Sequence, residues 1–442
     1  MQDWRWMTAA DLGRAIGAGD IDPVALTDVY LDAIDAHEFR DRIYARVMHD
    51  RARAEAAAAS ARAKSGFRRG PLDGVPVSWK DLFDTAGVAT EAGTALMEGR
   101  VPDTDARVLQ DATAAGLICL GKTHMSEIAF SGLGLNPITA TPPCVNDHAA
   151  VPGGSSSGAG ASVAFGLAAA GIGSDTGGSV RIPSAWNDLV GLKTSHGHLS
   201  LEGVVPLCLT FDTVGPLCRS VEDAALVFTA LEGAKPVDPG GETLKGKRLM
   251  VLDTIAPDDV RDAPRAAFQN AVERLQNAGA HIEHHSFAPL VDAFGVAGSL
   301  YGADSYGWWR DLVEANPEKM FPQILERVRG GKLVSGADYV AGWNLLRGIR
   351  KQYAEMTAKF DAVIMPTAPI LPPNADRLLA DEEYYKTENL LALRNTRVAN
   401  LLDLTSITLP TRVPSCGIML NGQNGGEAAL LRLAVAAEQA LS

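Results

Sequence analysis

Polar and apolar positions along this chain alternate between a helical texture and short, wholly apolar runs. Near the N-terminus the pattern is helical. Asp22 is placed to cap a helix that starts at Pro23 and runs to about Glu38, and an alanine-rich stretch from Arg53 to Lys64 stops near Gly66. The texture then changes. Pro71-Leu72-Asp73-Gly74 reads as a turn, and Val75 to Trp79 as a short apolar strand. Asp105 to Ala115 predicts a helix ended by Gly116, and Leu117 to Leu120 a buried strand. Residues 156–168 predict a helix of small residues able to pack close to its neighbours, followed by a strand over 169–173.

A Gly- and Pro-rich run from Gly233 to Gly241 is the clearest internal punctuation. Beyond it, Arg248–Leu252, Ala263–Ala278 and His281–Phe287 predict a strand-helix-strand unit. Residues 290–360 read as mostly helical, Asp361–Met365 as a strand, and Ala428–Leu441 as a closing helix. Helices alternating with buried strands predict an α/β fold, a sheet covered by helices.

Composition narrows the function. With 442 residues the chain can bury a large core, and 46% hydrophobic with 21% charged residues is an ordinary globular mix. A formal charge of -13 repels phosphate backbones, so direct nucleic-acid binding is not expected. Met1–Trp6 does not resemble a signal peptide and no run has the length of a spanning segment, which predicts a cytoplasmic protein without membrane attachment. The five cysteines are odd in number and scattered, as expected of free thiols.

The chemistry lies in two glycine-serine clusters, Pro152–Gly158 and Gly173–Arg181, and in Lys80 at the end of an apolar strand. Serine attacks a carbonyl only when a base removes its proton. Ser179, after Thr176-Gly177-Gly178, is the candidate nucleophile and is expected to open a helix. Its N–H and those of Thr176, Gly177 and Gly178 can converge on an oxyanion. A histidine would be the usual base; Lys80 is the alternative, provided burial keeps it neutral. Ser155 can join the two, because a hydroxyl both donates and accepts. No metal or organic cofactor is required for this chemistry.

These residues carry a resemblance. Gly74–Asp81, Gly121-Lys122-Thr123, both glycine-serine clusters, Gly191–Thr194, Asp212–Pro216 and Asp361–Pro369 are similar to the amidase signature family over nearly the whole chain. The resemblance implies one amidase domain over 1–442, a single large α/β domain with a mixed central sheet covered by helices on both faces. It would have a signature core at about 70–235, a strand-helix-strand unit and helical substrate-pocket region at about 245–360, and a C-terminal return to the core at 361–442. It implies Ser179 as nucleophile, Ser155 as relay after an unusual cis peptide, and Lys80 as base. It further implies an oxyanion hole at Thr176, Gly177, Gly178 and Ser179, a loop braced by Asp175 and Arg181, and substrate contacts at Ala129, Phe130 and Ser155. The expected partner is a small-molecule amide, and a homodimer is common among such proteins. A second possibility is the A subunit of a glutamyl-tRNA amidotransferase, and a third an inactive scaffold of the same fold.

Other patterns compete. Gly116–Thr123 fits a phosphate-binding loop, although its middle is itself an apolar strand. Gly154–Gly158 fits a nucleophile elbow centred on Ser156, but no histidine sits in a triad setting. His281, Glu283 and His285 share a strand face; a solvated strand end explains them better than a metal. Tyr301, Tyr306, Trp308 and Trp309 suit a core or a pocket wall. Pocket size should depend on the helices around 290–350 and the loops near 124–146, and no cluster of basic residues marks a carboxylate pocket.

Overall fold

Strands buried on both faces read as unbroken apolar runs rather than alternating ones, and such strands form the middle of the molecule. The computed structural model describes residues 3–234 and 240–442, so the punctuation expected at Gly233–Gly241 lies partly outside the described residues. Among them, eleven strands join in one mixed sheet: β1 (Tyr44–Val47), β2 (Pro76–Lys80), β3 (Ile118–Thr123), β4 (Ala170–Asp175), β5 (Val190–Lys193), β6 (Thr213–Cys218), β7 (Arg248–Leu252), β8 (His281–His285), β9 (Ala362–Pro366), β10 (Thr405–Pro410) and β11 (Gly417–Gly422). Their order is β1-β3-β2-β4-β6-β5-β10-β11-β9-β7-β8. Two parallel groups, β3-β2-β4 and β8-β7-β9, are joined through antiparallel strands. Every residue of β2, β3, β4, β5 and β6 is buried. Helices cover the sheet, giving a single large α/β domain.

The predicted helices form where their caps stand. Asp22 Oδ1 accepts from the Val24 N–H and the helix runs Pro23–Ala36. The alanine-rich helix is Arg53–Lys64 extended to His49–Ser65, stopped by Gly66 at φ 76°. The small-residue helix is shorter than expected, Ser157–Ala164. Its composition is explained by contact with β4: a Cβ on Gly171 would lie 2.7 Å from the Ala159 carbonyl oxygen. The pattern gave no warning of β1, β5, β6, β10 or β11. They are short, carry Gly, Pro, Lys or Arg, and are stabilised by pairing with distant partners.

Two placements matter for function. β2 and β4 run parallel, with Val77 opposite Ala170 and Trp79 opposite Ile172, so Lys80 and Ser174–Asp175 reach the same edge of the sheet. In parallel sheets that edge, at the strands' C-terminal ends, is where ligands bind. Helices Leu290–Ala315, Pro322–Gly330 and Glu382–Leu401 supply side chains to a cavity beside it. No helix among the described residues is long and apolar enough to cross a membrane.

Candidate active site

Lys80 ends β2 with its side chain fully buried. Its Nζ donates to Ser155 Oγ at 2.7 Å and to Ser174 Oγ at 2.8 Å. No carboxylate pairs with it among the described residues; Asp175 and Asp212 act on it only at longer range. Burial therefore dominates and pushes the ammonium pKa down to about 7. Two other lysines from the sequence motifs are equally buried but differently used. Lys122 donates to the Phe83 carbonyl at 2.6 Å and lies 3.4 Å from Asp81. Lys193 donates to the carbonyls of Leu404 and Thr194. Both are pinned to backbone acceptors, whereas Lys80 meets only hydroxyls. Ser174, one of those hydroxyls, was missed by sequence reasoning; a polar residue inside a buried strand was the available signal.

The peptide bond between Gly154 and Ser155 is cis. The loops carrying Ser155 and Ser179 are tied by the Ser156 N–H, which donates to the Ser179 carbonyl at 3.2 Å. Among the described residues no hydrogen bond joins the Ser155 and Ser179 hydroxyls. Ser179 lines the adjoining cavity, whereas Lys80 and Ser155 are wholly buried behind the wall. Ser155 thus faces the lysine and is not part of the cavity lining, where a substrate contact was expected of it. Ser179 does not open a helix as anticipated: the helix starts two residues later, at Arg181, and spans Arg181–Trp186.

The reason is Asp175. Its carboxylate accepts from the N–H groups of Gly178 (2.8 Å) and Val180 (3.1 Å), which holds the turn open ahead of the helix. It also accepts from Arg181 Nε (3.0 Å) and Nη2 (2.9 Å) and from Asn400 Nδ2 (2.9 Å). Burial alone would raise its pKa, but these partners, Arg181 foremost, hold it below the usual carboxylate range. Of the four N–H groups expected to hold an oxyanion, that of Gly178 is already donated to Asp175; Thr176, Gly177 and Ser179 face the cavity. Gly178 is glycine for steric cause: φ is 137°, and a Cβ would sit 2.1 Å from Thr396 Oγ1. Thr176 is set by its hydroxyl, which donates to Asp212 Oδ1.

Ala129 and Phe130 form one wall of the cavity. Ile128 and Ala129 take left-handed backbone, at φ 43° and 61°, a costly conformation for a β-branched residue. Tyr301, Arg327 and Arg397 also line the cavity, with Arg327 packed against Phe130. The two arginines come from helices far apart in sequence, so sequence reading found no basic cluster where the structure makes one. Trp309 is core, donating to the Pro206 carbonyl at 3.0 Å, while Trp308 is exposed.

The rival motifs fall into structural places. Gly116–Thr123 is largely β3 rather than a loop. Ser156 Oγ donates to the Ser174 carbonyl, and His196, His198 and His284 bond to Leu209, Glu232 and Asp253 respectively. His285 pairs with Glu283, which also holds Arg248, and no group of side chains suited to a metal occurs among the described residues.

Comparison with known proteins agrees with this architecture. The sequence matches the Amidase family over residues 25–431, and the chain belongs to that family. Hydrolysis of carboxylic amide C–N bonds is the chemistry this membership assigns. The chain is 35% identical to a 2-amino-5-chloromuconic acid deaminase of Comamonas testosteroni, across 98% of this chain and 96% of that protein. It is 32% identical to the A subunit of a glutamyl-tRNA(Gln) amidotransferase of Anaeromyxobacter sp. (strain K), across 98% and 95%. Among solved structures, an amidase superposes with a TM-score of 0.88 at 30% identity, covering 98% of this chain and 99% of that one.

Proposed function

We propose that this chain hydrolyses small linear amides, and reactive esters, through an acyl-enzyme on Ser179. The observation that carries the reading is Lys80: a buried amine without a carboxylate partner, 2.7 Å from Ser155 Oγ, beside a serine that faces a cavity. With its pKa near 7, a sizeable fraction of Lys80 is neutral at physiological pH and able to accept a proton. Ser179 Oγ bonds to the carbonyl carbon, its proton passes to Ser155, and the Ser155 proton passes to Lys80. The oxyanion is held by N–H groups of the Thr176–Ser179 loop. The proton returns along the same path to the amide nitrogen, the C–N bond breaks, and ammonia or amine leaves. Water then attacks the acyl carbon with the same base, releasing the acid. Catalytic hydrogen bonds are often open without substrate and tighten in the complex, which accommodates the unclosed link between the two serines.

The test is labelling by a fluorophosphonate together with turnover of an amide and ester panel by the purified chain alone. Wild type should label at Ser179, and Ser179→Ala should lose labelling and turnover. Ser155→Ala should impair amides by at least tenfold more than activated esters, because an ester leaving group needs no proton. A chain that neither labels nor turns over any substrate would overturn the reading. Glutaminase activity that appears only with a second protein present would favour the amidotransferase alternative.

A further inference from the structure

We infer that the substrate carries an anionic group, a carboxylate at the end remote from the scissile amide, and that Arg327 and Arg397 hold it. This rests on the hydrolytic reading for placing the amide at Ser179.

Both arginines line the same cavity as Ser179, Thr176 and Gly177. Arg397 runs alongside the nucleophile loop: a Cβ built on Gly177 would lie 3.6 Å from Arg397 Cγ and 3.8 Å from its Nε. Arg327 stacks on Phe130, its guanidinium carbon 4.2 Å from the ring centroid, and donates through Nη1 to the Phe130 carbonyl at 2.6 Å. Arg397 sits 5.9 Å from the Tyr301 ring centroid. Among the described residues neither guanidinium has a carboxylate partner, and Arg397 donates no hydrogen bond. Most of their donors are therefore free for a ligand, and Arg presents them in a fork that fits a carboxylate.

Two cations sharing a pocket repel each other, and burial adds to the cost. Burial and then Arg397 push the Arg327 pKa down to about 10, and burial lowers that of Arg397. Both remain charged at neutral pH. The protein neutralises its fully buried arginine, Arg181, with Asp175, whereas Arg327 and Arg397 are only partly buried. Leaving these two unneutralised beside the reactive serine is what a site for an incoming anion requires. Phe130, Tyr301, Arg327 and Arg397 also line an adjoining, more open space, so the pair stands where the inner cavity meets its approach. An anion there would orient a short acid with its amide inward, toward Ser179.

The test uses Ser179→Ala, which keeps the pocket but cannot form the acyl-enzyme. Calorimetric titration would compare succinamate and glutaramate with the uncharged amides of the same chain length, butanamide and pentanamide. At least one acid should bind roughly 30-fold tighter than its neutral partner, and the gap should shrink with added salt. Arg397→Met and Arg327→Met, each in the Ser179→Ala background, should each reduce that gap at least tenfold, with Arg397→Lys retaining part of it. Equal binding of acid and neutral amide, or a gap untouched by both Met variants, would overturn the inference. Wild-type hydrolysis of the same four amides separates the two claims. Turnover without acid preference leaves the hydrolytic reading standing and removes the anion site; acid preference without turnover of any amide does the reverse.

Discussion

Arg181 and Arg397 lie close to the same four-residue loop and are treated in opposite ways. At the base of the loop, Arg181 is fully buried, bidentate on Asp175, and further bonded to the Thr396 carbonyl and Asn400. At the mouth of the cavity, Arg397 has an aromatic neighbour and no anion. A saturated charge is an element of structure, because every polar atom it brings inside has a partner. An unsaturated one is poised for a ligand. Lys80 belongs between them: it has acceptors, the hydroxyls of Ser155 and Ser174, but no counter-charge, so its proton is easily lost.

The strongest way to break this contrast is at its saturated end. Asp175→Ala strands Arg181 and frees the N–H groups of Gly178 and Val180. We expect a loss of about 3–5 kcal/mol in urea unfolding, with turnover abolished because the Ser179 loop loses its anchor. Adding Arg181→Met should recover a good part of the stability, since an apolar replacement removes the stranded charge, but none of the activity. The sign with pH follows from the depressed pKa of Asp175: its contribution is complete above about 4, the unfolded value, and is lost as acid titrates toward the lower native value. A single mutant within about 1 kcal/mol of wild type would show that the pair does not hold the loop.

The middle case is sharpened by pH. If neutral Lys80 is the base, kcat/KM for a neutral amide should be level above about 7 and fall about tenfold per pH unit below it. The lowered pKa also has a stability signature. Between about 7 and about 10.4 the unfolded chain binds a proton that the native lysine does not, so stability due to this group rises with pH across that window. Lys80→Met should flatten the unfolding free energy there while removing turnover. A rate profile unchanged from pH 5 to 8 would count against Lys80 as base.

How much of this was legible follows from the range of the interactions. Lys80, Ser155 and Ser179 stand in local contexts that announce themselves, an apolar strand and glycine-rich turns, and the helix caps at Asp22 and Gly66 need only neighbouring residues. What was illegible depends on distant partners. The late start of the helix at Arg181 comes from Asp175 capturing two amides, helped by Asn400 from another helix. β10 and β11 exist because they pair with each other and with β5 and β9. Arg327 and Arg397 each look like an ordinary polar position on a helix, and only folding places them in one cavity.

The smallest expected effect lies at the unsaturated end. Replacing Arg397 with Met removes a cation that has no ionic partner, and the long apolar side chain keeps the contact with the loop beside Gly177. Unfolding stability should therefore change by less than about 1 kcal/mol, and a gain is in keeping with relief of repulsion from Arg327. The same substitution at Arg181 should cost several times more, because it leaves the Asp175 carboxylate buried without its cation. Parallel urea titrations of the two Met variants measure the comparison directly. Equal losses at the two sites would mean that Arg397 is as structural as Arg181, and that its lack of a counter-charge marks no vacancy for a ligand.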